Sequence, residues 1–259
     1  MDLGLRGRTA LVTGASKGIG FACADHLARE GCGVVLVARS EADLARACAQ
    51  LARHGVPVSS HAADLSDSAA VDRLAQACGD VDILVNNAGA IPAGRLDEVD
   101  EARWRAAWDL KVFGYINMTR RFYATMKARG RGTIVNIVGA GGERIDAGYI
   151  AGSSGNAALI AFTRAMGGAS AADNIRVTGI NPGPVLTERL ETLLKQRATS
   201  LHGAPDRWQE SLERLPFGRA ASPGEIGALA AFLASDLSGY TTGSMLTVDG
   251  GMGARGAAY

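Results

Sequence analysis

The chain has 259 residues, 47% of them hydrophobic and 20% charged, and its 27 Lys and Arg against 26 Asp and Glu give a formal net charge of +1. That is enough apolar material for the core of one large α/β domain. The interleaved charge offers no basic patch for nucleic acid or an anionic membrane surface, and no run approaches the roughly 18 apolar residues of a membrane span.

The N-terminal stretch MDLGLRGRTALVTG lacks the charged-then-apolar order of a secretory leader, so a reducing, cytoplasmic setting is expected. Seven strand-like runs follow in chain order: Thr9–Thr13, Gly33–Ala38, Val58–Ala62, Ile83–Asn86, Gly132–Val138, Arg176–Asn181 and Met245–Val248. Between them apolar residues recur at helical spacing near 18–30, 41–54, 68–78, 101–129, 153–172 and 223–235, as in Leu44, Ala47, Cys48 and Leu51. Strand alternating with helix predicts a single doubly wound α/β domain, with a parallel seven-stranded sheet and helices on both faces. Residues 185–217 break that rhythm with a long amphipathic excursion, which reads as a lid over a pocket. Cys23, Cys32, Cys48 and Cys78 form no CxxC pair and read as packing residues. No carboxylate–histidine cluster has ligand spacing, so no metal is expected.

The first strand runs at once into Gly14-Ala15-Ser16-Lys17-Gly18-Ile19-Gly20 and then a helix. Glycines there let the backbone turn sharply and approach a pyrophosphate, while the helix N-terminus presents unpaired N–H groups and partial positive charge. A turn serving structure alone is the competing reading.

TGASKGIG at 13–20, NNAG at 86–89, NPGPVLT at 181–187 and VDGG at 248–251 occur in the order seen in the short-chain dehydrogenase/reductase family. The chain resembles that family over about 240 residues. The resemblance implies a Rossmann fold, a nicotinamide dinucleotide, a small-molecule carbonyl or alcohol substrate, and a homotetramer or homodimer paired through the helices at 101–129 and 153–172. It places cofactor contacts at Gly14, Ser16, Lys17, Gly18, Ile19 and Gly20, at Asp64 and Leu65 beside the adenine, at Asn87, Ala88 and Gly89, and at Pro182, Gly183, Val185 and Thr187. The second strand ends at Ala38, where NAD-preferring relatives carry a carboxylate, and Arg39 follows. With Lys17 as a second cation, a 2′-phosphate is favoured, hence NADP over NAD. The alternative leaves both cations in solvent.

The family's chemistry uses an Asn, a Ser and a Tyr-x-x-x-Lys pair. Registered by flanking residues, those positions hold Lys111, Gly139, Gly152 and Asn156. Lys and Asn look exchanged, and Tyr149 stands one helical turn before Gly152. Tyr149 is therefore the candidate proton donor, Lys111 the cation that lowers its pKa, and Ser153 or Ser154 a secondary ligand of the substrate oxygen. Equally open is that Tyr149 packs at a helix start and Lys111 forms a surface or interface pair. Glu143, Arg144 and His202 are further candidates in flanking loops; His26, His54 and His61 fall away from the expected mouth. The function expected is an NADP(H)-dependent oxidoreductase with a non-standard proton-transfer group. The alternatives are a catalytically inactive dinucleotide-binding sensor or scaffold, and a lyase or isomerase working through Lys111 or Tyr149.

Overall fold

The apolar runs become buried parallel strands. In the computed structural model, which describes residues 2–254 apart from the side chains at 197 and 200–202, one sheet runs in the order β3-β2-β1-β4-β5-β6-β7. Its strands are β1 (Thr9–Thr13), β2 (Gly33–Ala38), β3 (Val58–Ala62), β4 (Ile83–Asn86), β5 (Gly132–Ile137), β6 (Ile175–Pro182) and β7 (Met245–Val248). Register follows the apolar residues: Ala10 of β1 stands beside Val34 of β2 and Ile83 of β4. Central strands covered on both faces read as unbroken hydrophobic runs.

Helices α1 (Gly18–Arg29), α2 (Glu41–Leu51) and α9 (Pro223–Ala234) cover one face, where Cys23, Leu27, Leu44 and Ile226 join a core with Val12 and Val135. Helices α3 (Ser68–Cys78) and α5 (Gly114–Arg129) cover the other, placing Val71, Met118 and Phe122 against Leu84 and Ile134. Beside α5, α6 (Ile150–Ser170) adds Leu159 and Ile160. Local chemistry sets the helix starts. Ser40 caps α2, Asp67 caps α3 and Asp100 caps α4 (Glu101–Trp108), each accepting a backbone N–H of the first turn. Ser222 and Glu225 form a reciprocal capping box at α9. Because the chain leaves β1 toward β2 on one side and β4 on the other, a crevice opens at the strand carboxyl ends, the usual ligand position in doubly wound sheets.

Three departures from the sequence reading bear on function. The helix expected over 101–129 is interrupted by a π turn at Asp109–Phe113; one extra residue in a turn leaves the apolar pattern on either side intact, so periodicity does not reveal it. Helix α6 begins at Ile150 rather than 153, which makes Tyr149 its N-cap, with the Ser153 N–H donating to the Tyr149 carbonyl at 2.8 Å. Residues 185–217 fold into α7 (Glu188–His202), a 3-10 segment (Pro205–Gln209), α8 (Glu210–Glu213) and a turn at Pro216–Gly218. The candidate His202 side chain lies outside the described residues. No helix among those described is long and apolar enough to cross a membrane.

Candidate active site

The crevice holds a cleft of about 1000 Å³, lined from Gly14 and Arg39 at one end to Lys111 and Tyr149 at the other. Its floor is the turn after β1. Gly14 and Gly18 adopt φ of 63° and 60°, where a side chain would be strained. A Cβ at Gly20 would stand 2.3 Å from the Gly14 carbonyl oxygen; Gly20 therefore shapes the turn from behind, while Gly14, Ser16, Lys17, Gly18 and Ile19 face the cleft. The Thr13 hydroxyl accepts N–H groups from Asn87 at 2.8 Å and Ala88 at 3.0 Å, and the Asn87 amide donates to the Thr13 carbonyl at 3.0 Å. These bonds lock the ends of β1 and β4 together. Asn87, Ala88 and Gly89 line the cleft beyond them.

At the outer end Arg39 and Ala38 line the wall, joined by Ser40 and Asp43, two positions the motifs did not flag. Asp43 is paired with Arg46. Lys17 at the N-terminus of α1 makes no cap bond and pairs instead with Glu188 of α7 at 3.0 Å, a contact that holds the Lys17 ammonium above its ordinary pKa. Ala63 and Leu65 form the facing wall, with Asp64 outside it. The Asp64 carboxylate accepts the Ser66 N–H at 3.0 Å and hydroxyl at 2.8 Å. Those bonds, with some help from the Arg39 charge, hold it below the usual carboxylate range. Pro182, Gly183, Val185 and Thr187 complete the inner rim.

The inner end contains the unusual groups. The π turn delivers Lys111 across Gly89, where an added Cβ would meet the lysine Cδ at 2.8 Å. Its ammonium donates to the Val138 carbonyl at 2.6 Å and lies 5.9 Å from the centre of the Tyr115 ring. Burial, reinforced by the Arg189 charge, pushes Lys111 down to about 8. The Tyr149 ring lies on Gly152: a Cβ there would be 2.0 Å from both Cε1 and Cζ. The ring thus fills the space that a side chain at 152 would enter.

Two expectations change. Burial raises the Tyr149 pKa, and the opposing cation is Arg189; the pairing in which Lys111 lowers the tyrosine pKa is not what the structure presents. Ser153 is buried, and its hydroxyl accepts the Asp146 N–H at 3.1 Å, which ties down the preceding loop and turns it from the cleft. Ser154 is exposed and donates to the Ile150 carbonyl at 2.7 Å. Glu143 accepts the Thr247 hydroxyl at 2.8 Å and Arg144 is exposed, neither of them among the cleft-lining residues. Asn156 is buried, with its Nδ2 beside Gly139 and its Oδ1 without a described partner. Gly139 itself sits at φ 132°, a conformation that a serine rarely adopts.

Arg189 is the residue that motif reading missed. It opens α7 two positions after Thr187 and donates to the carbonyls of Ile91 at 2.6 Å and Gly89 at 3.5 Å. Its place directly behind NPGPVLT was the available signal. The three histidines His26, His54 and His61 do not line the cleft. His54 pairs with Asp25 at 2.8 Å, and burial between α1 and α9 lowers His26. Among the described residues no cluster could hold a metal ion. Cys23 and Cys32 are buried thiols pushed up to about 12, inert as packing residues should be.

A family model described as enoyl-(acyl carrier protein) reductase matches residues 14–253. A galactitol 2-dehydrogenase (L-tagatose-forming) of Cereibacter sphaeroides is 36% identical over 253 residues, 95% of each chain. The chain belongs to the short-chain dehydrogenase/reductase family. An acetoacetyl-CoA reductase of Allochromatium vinosum is likewise 36% identical, over 95% of this chain and 98% of that one. The crystal structure of L-sorbose reductase from Gluconobacter frateurii with NADPH and L-sorbose superposes with a TM-score of 0.92 at 34% identity, covering 97% of this chain and 98% of that one. As a short-chain dehydrogenase/reductase the chain shares its fold with oxidoreductases of carbonyl and alcohol groups.

Proposed function

We propose that the protein is an NADP(H)-dependent oxidoreductase of a carbonyl or alcohol substrate in which Lys111 and Tyr149 take over proton handling. The observation that carries this reading is the cleft itself: a glycine-built turn at a helix N-terminus leads inward to one lysine and one tyrosine. The free N–H groups of α1 fit a pyrophosphate. Arg39 fits a 2′-phosphate at the outer wall, where Ala38 supplies no repelling carboxylate, and Lys17 can join it by exchanging its Glu188 partner for the phosphate. Bound there, the dinucleotide supplies or accepts the hydride.

The protein's own groups then divide the remaining work. Tyr149, raised by burial, stays protonated at neutral pH and donates a hydrogen bond to the substrate oxygen. Lys111, at about 8, is matched to proton transfer near physiological pH, where Brønsted behaviour favours an acid whose pKa lies close to the working pH. In reduction the carbonyl carbon gains the hydride, the oxygen gains a proton from the Lys111 ammonium, and solvent reprotonates the amine; oxidation is the reverse. The Val138 carbonyl fixes the ammonium through this cycle. On this reading the family's Asn, Ser, Tyr and Lys positions are Lys111, Gly139, Gly152 and Asn156, and α7 acts as a lid. The chain forms a homo-oligomer, for which light scattering is the direct measurement.

Stopped-flow mixing with NADPH followed by a carbonyl panel tests the proposal. Saturable NADPH binding with turnover is expected, and Tyr149→Phe should lower kcat by about 10²-fold or more while NADPH affinity holds. Wild-type turnover in Tyr149→Phe removes Tyr149 from the mechanism; binding with no turnover on any carbonyl or alcohol overturns the oxidoreductase reading.

A further inference from the structure

The charges lining the cleft are distributed unevenly. Its two carboxylates, Asp43 and Glu188, are each taken up by a cation, Arg46 and Lys17, at the outer end. At the inner end Lys111 and Arg189 both line the cleft, and among the described residues neither pairs with an acid. Their hydrogen bonds go to neutral backbone carbonyls, which orient the groups but leave both charges uncompensated. Arg189 acts electrostatically on Lys111 and on Tyr149 alike, so the guanidinium stands within range of the reacting groups. Lys111 is half-buried and Arg189 exposed at the rim; two like charges facing one cleft disfavour each other, and an anion between them relieves that cost.

We propose that the substrate carries a carboxylate, held by Arg189 beside Lys111, so that the oxidoreductase acts on an oxo acid or the corresponding hydroxy acid. This rests on the oxidoreductase reading above and narrows its substrate class. Arg189 uses two of its five N–H donors on Ile91 and Gly89, leaving others in the planar fork that suits a carboxylate. Leu190 and Leu193, on the same turns of α7, give the cleft an apolar wall for a short carbon chain. A carboxylate anchored to Arg189 while its oxo group meets Tyr149 sets the distance between the two functions, and that spacing selects among chain lengths.

The test pairs four- to six-carbon 2-, 3- and 4-oxo acids with their methyl esters, using NADPH and the full-length protein. The acids should exceed the esters in kcat/KM by about tenfold or more, the weight of one charge-assisted hydrogen bond. Arg189→Met should raise KM for the preferred acid by about 10- to 100-fold and bring the variant's acid-over-ester ratio of kcat/KM toward one, with NADPH affinity intact; Arg189→Lys should restore part of the preference. Equal turnover of acid and ester overturns the proposal while leaving the oxidoreductase reading standing. A loss of NADPH affinity in Arg189→Met also overturns it, because the guanidinium then serves a cofactor phosphate. If no panel member turns over, calorimetric titration of the NADP⁺-loaded protein with the hydroxy acids decides separately: binding that Arg189→Met abolishes supports the anion site, and no heat of binding refutes it.

Discussion

Gly152→Ala is the most informative single change in this molecule. A methyl group at 152 would start 2.0 Å from Cε1 and Cζ of Tyr149 and 2.6 Å from Cδ1, whereas carbon atoms pack at roughly 3.5–4.0 Å. The ring must therefore move by about 1.5–2 Å. Two opposing terms act on stability: alanine improves on glycine in a helix by up to ~1 kcal/mol, and overpacking a fitted site costs about 1–3 kcal/mol. If the ring shifts but stays packed in the site, the variant loses about 0–2 kcal/mol; if it swings out, stability rises slightly, and in both cases the hydroxyl leaves the substrate oxygen. Either way kcat should fall by about 10²–10⁴-fold, the range for a displaced proton-handling group, with NADPH affinity preserved. Denaturant unfolding with steady-state kinetics separates the two outcomes. Adding Tyr149→Phe to Gly152→Ala should then cost little more, since both act through one ring. A Gly152→Ala enzyme with unchanged kcat would refute the reasoning, as would full additivity of the two substitutions.

Two further outcomes follow from the charges in the cleft. Burial lowers Lys111 from its ordinary value of 10.5 to about 8, so the ammonium is present below that pH and lost above it. The kcat/KM of reduction should accordingly fall tenfold per pH unit on the alkaline side of about 8; a profile flat to pH ~10, or one unaltered in Lys111→Met, removes the lysine from proton transfer. Ala38→Asp would place a carboxylate on the wall opposite Leu65, weakening NADPH by about tenfold or more and sparing NADH. Equal affinity for NADPH before and after, read by fluorescence titration, would put the 2′-phosphate elsewhere.

Much of the scaffold was legible because its signals are local. Apolar runs such as Val34-Val35-Leu36-Val37 became buried strands within a residue or two of their expected ends, and the glycine turn fell between β1 and α1 as its spacing required. The chemistry was less legible because it depends on three-dimensional detail that one-dimensional patterns do not carry. Ser153 was sound by sequence distance, yet its hydroxyl is consumed by the Asp146 backbone. Burial raises Tyr149, and the charge that opposes it belongs to Arg189 in α7, forty residues downstream. Arg46 and Glu188 matter through pairs with Asp43 and Lys17, and pairing across elements has no signature along the chain.

The π turn at Asp109–Phe113 limits how this chain can change. Removing its additional residue would rewind the helix and turn everything beyond it by about 100°, carrying Tyr115, Met118, Phe122 and Met126 off the sheet they now cover. Upstream, Trp108 is pinned to the Ala151 carbonyl at 2.9 Å, so the preceding helix cannot rotate to absorb the mismatch. The reach of Lys111 is thus fastened at both ends, by Trp108 before the turn and by the buried face of α5 after it, so an insertion or deletion here would disturb the core as well as the lysine.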